Sequence, residues 1–298
     1  VVRQLSLDLA TRDAYVDHGA VCAVVDAAIV TVSGVDSAVY LQGQLSADVA
    51  ALQLGQTCRA LLLHPTGKLC AWLSVARTSD EHFVLVGAAS TAPSIVERLS
   101  RFRLRSNVEI VGVERQVLAI RAIDPSFVEH LVGDVASVND ARWRGDASVD
   151  VVFGSASDSL VVGQDPSMLV VPAAELAALD VWRALPTWGS ELADDALPAE
   201  SGVVTSSVSF TKGCYTGQEL TARMDSRNTT PPRVLAVTRS SVGSIATVLP
   251  DSWEVTSRVV CGDDTVELGW VSRAHSPQVE RVTSELVAPL SVSLRSST

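Results

Sequence analysis

The chain is poor in lysine, in closely spaced cysteines and in basic charge. Of its 23 basic residues all but two are arginine; the lysines are Lys68 and Lys212. Against 34 acidic residues this leaves a formal net charge of −11. A general nucleic-acid binder needs a net basic face, so the balance argues against one, while leaving room for a local basic groove. The five cysteines (Cys22, Cys58, Cys70, Cys214, Cys261) are odd in number and widely spaced, with no Cys-x-x-Cys. Neither a disulfide framework nor a complete intrachain zinc or iron–sulfur site is expected. The histidines (His18, His64, His82, His130, His275) are scattered, so no intrinsic metal site is expected either. The longest apolar run, Ala20–Val32, is interrupted by Asp26 and is too short to cross a bilayer as a helix. The first residues lack the basic head and apolar stretch of a secretory signal. A soluble, cytoplasmic protein without membrane contact is the expectation. Generic nucleotide and hydrolase motifs are missing. Gly67-Lys68 resembles the end of a phosphate loop, but Leu62 and Leu69 break that signature on either side.

What is present is core material. Hydrophobic residues make up 47 % of the chain and charged residues 19 %, enough for two or three compact domains. No repeat is visible. Ala20–Val32 reads as one or two strands, with a turn favoured at Asp26. Residues 37–52 read as one amphipathic helix carrying Val39, Leu45, Val49 and Leu52, ended by Gly55. Cys58–Leu63 and Lys68–Ala76 read as a hairpin around His64-Pro-Thr-Gly67. Strands are expected at His82–Gly87, Val108–Val113, Val117–Ala122, Val151–Phe153, Ser159–Val162 and Met168–Val171. Helices are expected from Thr91 to about Leu104, over Pro125–Val132 and over Pro172–Arg183. After Pro231-Pro232 only strand-like pieces follow: Val234–Val237, Glu254–Cys261, Val266–Val271 and Leu286–Leu294. The reading is therefore α+β followed by an all-β module of about 65 residues.

The segment Lys212-Gly-Cys-Tyr-Thr-Gly-Gln-Glu219 concentrates chemistry. Two glycines permit close backbone approach around an ammonium, a thiol, a phenol, an amide and a carboxylate. Lys212, Arg223, Arg227 and Arg233 make residues 212–233 locally basic, which suits an anionic ligand tail. A solvated turn with Cys214 and Tyr215 in the core is the competing reading. Cys214 is either a thiol activated by nearby Lys212 or an inert buried one. Arg101, Arg103 and Arg105 read as a solvated edge, and Trp182 and Trp188 as packing residues.

Ser209-Phe-Thr-Lys-Gly-Cys-Tyr-Thr-Gly-Gln-Glu-Leu-Thr-Ala-Arg223 resembles the signature of the YgfZ-type folate-binding proteins, paralogues of the glycine-cleavage aminomethyltransferases. Tyr40–Val49, His64–Leu69, Leu197-Pro-Ala-Glu200 and Glu267–Ser272 are similar to further family segments and keep family order. The resemblance implies three domains around a channel for tetrahydrofolate. It divides residues 1–230 into two interleaved α+β subdomains, roughly 20–45 with 112–185 and 46–111 with 186–230. Residues 231–298 become a C-terminal β-barrel. It implies a folate-binding accessory role in iron–sulfur cluster assembly or repair, including cluster-dependent tRNA-modifying enzymes. The implied partners are folate and, transiently, iron–sulfur proteins or assembly factors. Cys214 and Lys212 are the implied functional positions, with Lys68, Tyr215, Gln218, Glu219 and Arg223 as cofactor-binding supports. Two departures stand out. Gly67-Lys-Leu-Cys-Ala71 lacks the carboxylate pair of the aminomethyltransferases, which argues against their turnover and leaves a folate-dependent one-carbon transferase as the alternative. Trp182 stands where the family often has a carboxylate.

Overall fold

The computed structural model describes all residues except 18, 130–134, 155–167, 227–230, 245–247, 286 and 292–298. The expected strand Ser159–Val162, residues His18, His130 and Arg227, and parts of the segments expected at 125–132 and 286–294 lie outside the described residues.

The strands, in chain order, are β1 (Arg3–Ser6), β2 (Ala20–Ser33), β3 (Gln56–Leu63), β4 (Leu69–Ser79), β5 (His82–Ala88), β6 (Glu109–Ala122) and β7 (Val135–Asp140). They continue as β8 (Val149–Phe153), β9 (Met168–Val170), β10 (Arg233–Ser241), β11 (Glu254–Cys261), β12 (Asp264–Ser272), β13 (Glu280–Arg281) and β14 (Leu290–Ser291). The helices are α1 (Leu9–Val16), α2 (Ser37–Gln44), α3 (Ala92–Arg101), α4 (Ser126–Glu129), α5 (Ala173–Trp182), α6 (Val204–Ser207) and α7 (Gln218–Ser226).

Two sheets organise the chain. The larger runs β14-β3-β4-β5-β2-β6-β8-β7, with β9 also on β2. Its axis is the antiparallel β2–β6 pair, in register from Ala20↔Ala122 to Ser33↔Glu109. Asp26 pairs with Gln116 inside this ladder. The turn expected there does not form, because continuous pairing along one edge holds the strand straight through the acid. The same ladder fuses the two strands expected at 108–113 and 117–122. The other edge of β2 changes partner: β9 takes residues 20–22 in parallel, and β5 takes 27–33. Residues 23–26 fall between the two partners, and that break in the sheet positions the site described below.

The smaller sheet runs β1-β11-β12-β10-β13. Its strands after Pro232 match the all-β reading, but β1, from the other end of the chain, joins it in parallel with β11. In return, β14 pairs with β3 of the large sheet.

The helix expected over residues 37–52 is a correction. α2 stops at Gln44, and only a short 3-10 turn, Val49–Ala51, follows. Leu45 leaves the helix to bridge Leu62, and Ser46 Oγ accepts from the Leu61 amide at 2.7 Å. Tertiary pairing with β3 thus takes the backbone groups that helix continuation would need. Val39 is exposed, while Leu41, Leu45, Val49 and Leu52 are buried. α3 is amphipathic, with Ile95 and Leu99 buried and Pro93 in its first turn. One core cluster joins α5 and the small sheet to the motif loop through Leu179, Leu235, Leu268 and Tyr215. A second packs α2 and α3 on β3–β5. Among the described residues, no helix is long and apolar enough to cross a membrane.

Candidate functional site

The loop at 212–217 is fastened from both sides. Lys212 Nζ donates to the carbonyls of Gln42, Leu45 and Ala47 at 2.6, 2.7 and 2.8 Å. All three ammonium protons are thus spent on the segment where α2 ends. Gln42 and Leu45 are helix-end residues whose carbonyls lack partners inside the helix, the usual target of a cationic side chain, and Ala47 lies just beyond, where its carbonyl also accepts from the Val49 amide. Nζ also lies 5.2 Å from the centroid of the Tyr215 ring. Burial pulls the Lys212 ammonium down to about 8 and pushes the Tyr215 phenol up to about 12. The Thr216 amide donates to Gly43 O, and Gln218 Oε1 accepts from the Tyr215 amide.

On the other side, Gly217 (φ +83°) meets the β3–β4 turn. A Cβ there would stand 2.4 Å from the His64 carbonyl oxygen and 2.8 Å from Leu63 Cβ. Gly67 (φ +84°) reciprocates, its Cβ position falling 2.6 Å from Leu220 Cβ. Two glycines from distant segments therefore permit one close contact, and two of the motifs singled out in the sequence prove to be a single packed unit.

Cys214 sits at the outer side of this fastening. Among the described residues it is the one exposed cysteine: Cys22, Cys70 and Cys261 are buried and Cys58 is half-buried. The thiol is therefore not buried, and Lys212, read as its activator, directs its ammonium to backbone carbonyls instead. Glu219 and Arg223 pair with each other one helical turn apart at 2.5 Å on exposed α7. Lys68 is bound to Asp195 at 2.6 Å. Next to it His64 Nε2 meets Asp194 at 2.8 Å, and His64, Cys70 and Asp194 bring their ligand atoms within 4.8 Å of one another. The sequence, which scatters these three residues, gave no sign of that grouping.

A cavity of about 370 Å3 opens at the partner change in β2. Its walls include Val25, Asp26 and Ala27 of β2, Arg59, Trp72, Arg121, Asp150, one face of α5 with Asp180, and the following loop at Leu185–Trp188. This volume lies within the range of roughly 300–1,000 Å3 typical of small-molecule sites. Among the described residues, none of Lys68, Lys212, Cys214, Tyr215, Gln218, Glu219 or Arg223 is on its wall. The link between the two places is structural. Trp72 Nε1 donates to Ser207 Oγ at 2.9 Å, and Ser209 and Ser207 bond Ser46, just upstream of the loop.

The cavity wall is built on buried ion pairs. Arg121 bonds Asp150 at 2.8 Å and Asp180 at 2.9 Å; Arg183 bonds Asp180 at 2.6 Å, and also Asp146. Burial works against both guanidiniums, but their carboxylate partners outweigh it and hold each above the usual arginine range. Burial likewise opposes the Asp180 charge, and Arg121 and Arg183 still hold it below the usual carboxylate range. These are the residues that sequence reasoning missed. The available signals were a lone arginine in each of two apolar stretches, Arg59 and Arg121, and Asp26, read as a turn, was in fact an exposed acid on the cavity wall.

No family model matches the chain. It is 29 % identical over 215 residues to the tRNA-modifying protein YgfZ of Enterobacter sp. (strain 638), covering 66 % of this chain and 65 % of that protein. It is also 29 % identical over 216 residues to the mitochondrial iron–sulfur cluster assembly factor IBA57 homolog of Mycosarcoma maydis, covering 65 % and 51 %. The chain thus spans less than two thirds of the length of these curated relatives. Among solved structures, the glycine cleavage system aminomethyltransferase T from Bartonella henselae superposes with a TM-score of 0.68. That match covers 86 % of this chain and 79 % of the other at 20 % identity. The α+β class with a C-terminal β module, expected from the resemblance, is the fold found. The chain is similar in sequence to the YgfZ and IBA57 proteins and shares the fold of aminomethyltransferase T.

Proposed function

We propose that this chain is a tetrahydrofolate-binding accessory protein that supports iron–sulfur cluster assembly or repair, including cluster-dependent tRNA-modifying enzymes, with Cys214 as its key residue. The relatives named for tRNA modification and for iron–sulfur assembly support the process, and the aminomethyltransferase fold supports the folate. The observation that carries the reading is the presentation of Cys214. Among the described residues it is the one exposed thiol, on a loop whose conformation Lys212 and Gly217 fix. Fixing a backbone is worthwhile where a side chain must be offered in one geometry.

The residues present fit a folate. The cavity offers an aromatic face at Trp72, a guanidinium at Arg59 and an acid at Asp26, all from the α+β region of residues 1–230. When bound, tetrahydrofolate would supply a ring nitrogen able to carry a one-carbon unit. In this reading Lys212, Tyr215 and Gln218 position Cys214, while Lys68, Glu219 and Arg223 hold the surrounding surface through their ion pairs. Cys214 then serves as a thiolate partner to an iron–sulfur client.

Equilibrium dialysis with tetrahydrofolate, and rescue of cluster-enzyme activity by wild type but not by Cys214→Ala, test the proposal. Full rescue by the alanine variant removes Cys214 from it. A second reading, a folate-dependent one-carbon transferase, is favoured by one observation: Asp26 places a carboxylate on the cavity wall, where the hairpin offers none. Turnover with aminomethyl or methyl donors, lost in Asp26→Asn, would establish that instead.

A further inference from the structure

Among the described residues, the cavity holds one arginine, Arg59, for which no hydrogen-bond partner is found. Arg59 projects from β3, where it registers with Ser74 of β4, and its guanidinium lies 4.4 Å over the Trp72 ring. Its Nε is buried and unpartnered, and Arg59 makes no ion pair with any described residue. Apart from Asp26 on the cavity wall, the acids around it are already engaged. Asp150 and Asp180 accept from Arg121, Asp180 and Asp146 from Arg183, and Asp140 from Arg142. Burial pulls the Arg59 guanidinium below the usual arginine range, with Asp140 and Asp150 opposing that only at a distance. A buried donor left unmade costs stability, so a cavity occupant that accepts from this guanidinium gains what the surrounding protein does not provide.

We propose that Arg59 is a ligand anchor: it reads the acceptor edge of the cavity's occupant, a carboxylate or a lactam carbonyl, while Trp72 stacks on that occupant's planar ring or holds the guanidinium in plane. The geometry suits this. Stacking on an indole fixes the guanidinium plane and leaves its N–H fork pointing outward along the edge, the arrangement that binds paired acceptors. Trp72 is itself fixed, by its bond to Ser207 and by an edge contact with Trp143 at 5.9 Å. Of the acids on the wall, Asp150 and Asp180 cannot serve a ligand's amino edge in the same way, since Arg121 and Arg183 occupy them, which leaves Asp26 for that edge.

This inference rests on the folate reading for its natural ligand, but its test separates the two. Dissociation constants are measured by tryptophan fluorescence and calorimetry for tetrahydrofolate, 6-methyltetrahydropterin and p-aminobenzoyl-glutamate. Wild type is compared with Arg59→Gln, Arg59→Lys and, as a control, Arg103→Gln; thermal melts of the apo proteins accompany each. Arg59→Gln is expected to weaken tetrahydrofolate at least about tenfold, with Arg59→Lys only partly restoring it and the apo melting temperature unchanged or raised. An equal loss for the pterin alone identifies the lactam edge as the group read. A loss confined to ligands carrying the glutamate identifies the carboxylate. Tetrahydrofolate binding within twofold of wild type in Arg59→Gln overturns the anchor and leaves the folate reading standing. Wild type that binds only p-aminobenzoyl-glutamate, through Arg59, overturns the folate reading and keeps the anchor. Wild type that binds none of the three overturns both.

Discussion

Replacing Lys212 with methionine keeps most of the side chain's length and removes its charge. Three hydrogen bonds of 2.6–2.8 Å to backbone carbonyls disappear. Bonds to a charged donor contribute about 1.5–3 kcal/mol each, so the gross loss is roughly 5–9 kcal/mol. Part is returned. Moving the ammonium from 10.5 to about 8 reflects a net cost of about 3 kcal/mol, burial less the pull of Asp48 and Cys58, and solvent screening of this half-buried side chain makes it smaller. Water also reaches some of the orphaned carbonyls. The net expectation is a destabilisation of about 2–4 kcal/mol, with the largest change in hydrogen exchange at residues 42–47. Lys212→Arg should recover only part of this, because three carbonyls converging on one point suit a compact ammonium rather than a planar fork. Urea unfolding with native-state exchange measures both quantities. A methionine variant within about 0.5 kcal/mol of wild type, the range of an ordinary surface substitution, would refute the idea that Lys212 fastens the loop.

Gly217→Ala should cost about 2–4 kcal/mol, from a left-handed backbone and a methyl pressed against the His64 carbonyl, and it should separate the hairpin from the motif loop; melting of this variant against Gly213→Ala, where nothing lies within 4 Å, isolates the effect. Arg183→Met takes from the buried Asp146 its arginine partner and leaves Asp180 to Arg121 alone, and should destabilise the protein by about 3–5 kcal/mol, read by urea unfolding. Asp180 is held below its unfolded value, so its stabilisation is complete above the ordinary carboxylate range and is lost as pH falls through the folded value; Asp180→Asn should flatten the acid limb of a stability-versus-pH curve. Iodoacetamide should label Cys214 first in the native protein, since burial pushes the Cys58 thiol up to about 12 and Cys22 and Cys70 up to about 11; mass spectrometry showing any of these three modified ahead of Cys214 would count against the assignment.

Local pattern made the hairpin, α3, α5 and the last strands legible, because each carries its own period or turn chemistry. It misread residues 37–52, where Leu45 and Val49 keep a helical spacing but the backbone is claimed by β3. It also misread Asp26, since an acid in an apolar run signals a turn unless a long partner strand runs past it. The motif at 212–219 was legible as a dense group of functional side chains, and its attachment to the hairpin was foreshadowed by glycines at both ends of the contact. The cavity was not legible. Arg59, Arg121, Asp150 and Asp180 are far apart in sequence, and the gap that brings them together comes from a change of strand partner, which no local pattern records. Sequence reasoning read Lys212 as chemistry; its donors are spent on carbonyls.

The parallel pairing of β1 with β11 has a consequence for how the molecule can be divided. The small sheet takes its edge strand from residues 3–6, some 220 positions before the rest of it begins. A fragment starting at the Pro231-Pro232 junction would carry β10 to β13 but expose the β11 edge that Arg3–Ser6 normally covers, a row of open donors and acceptors ready to pair with another copy. Such a fragment should aggregate, and a short peptide bearing residues 1–8 should solubilise it. The two ends of the chain act as a clasp, each completing an edge of the sheet built mainly from the other part of the chain.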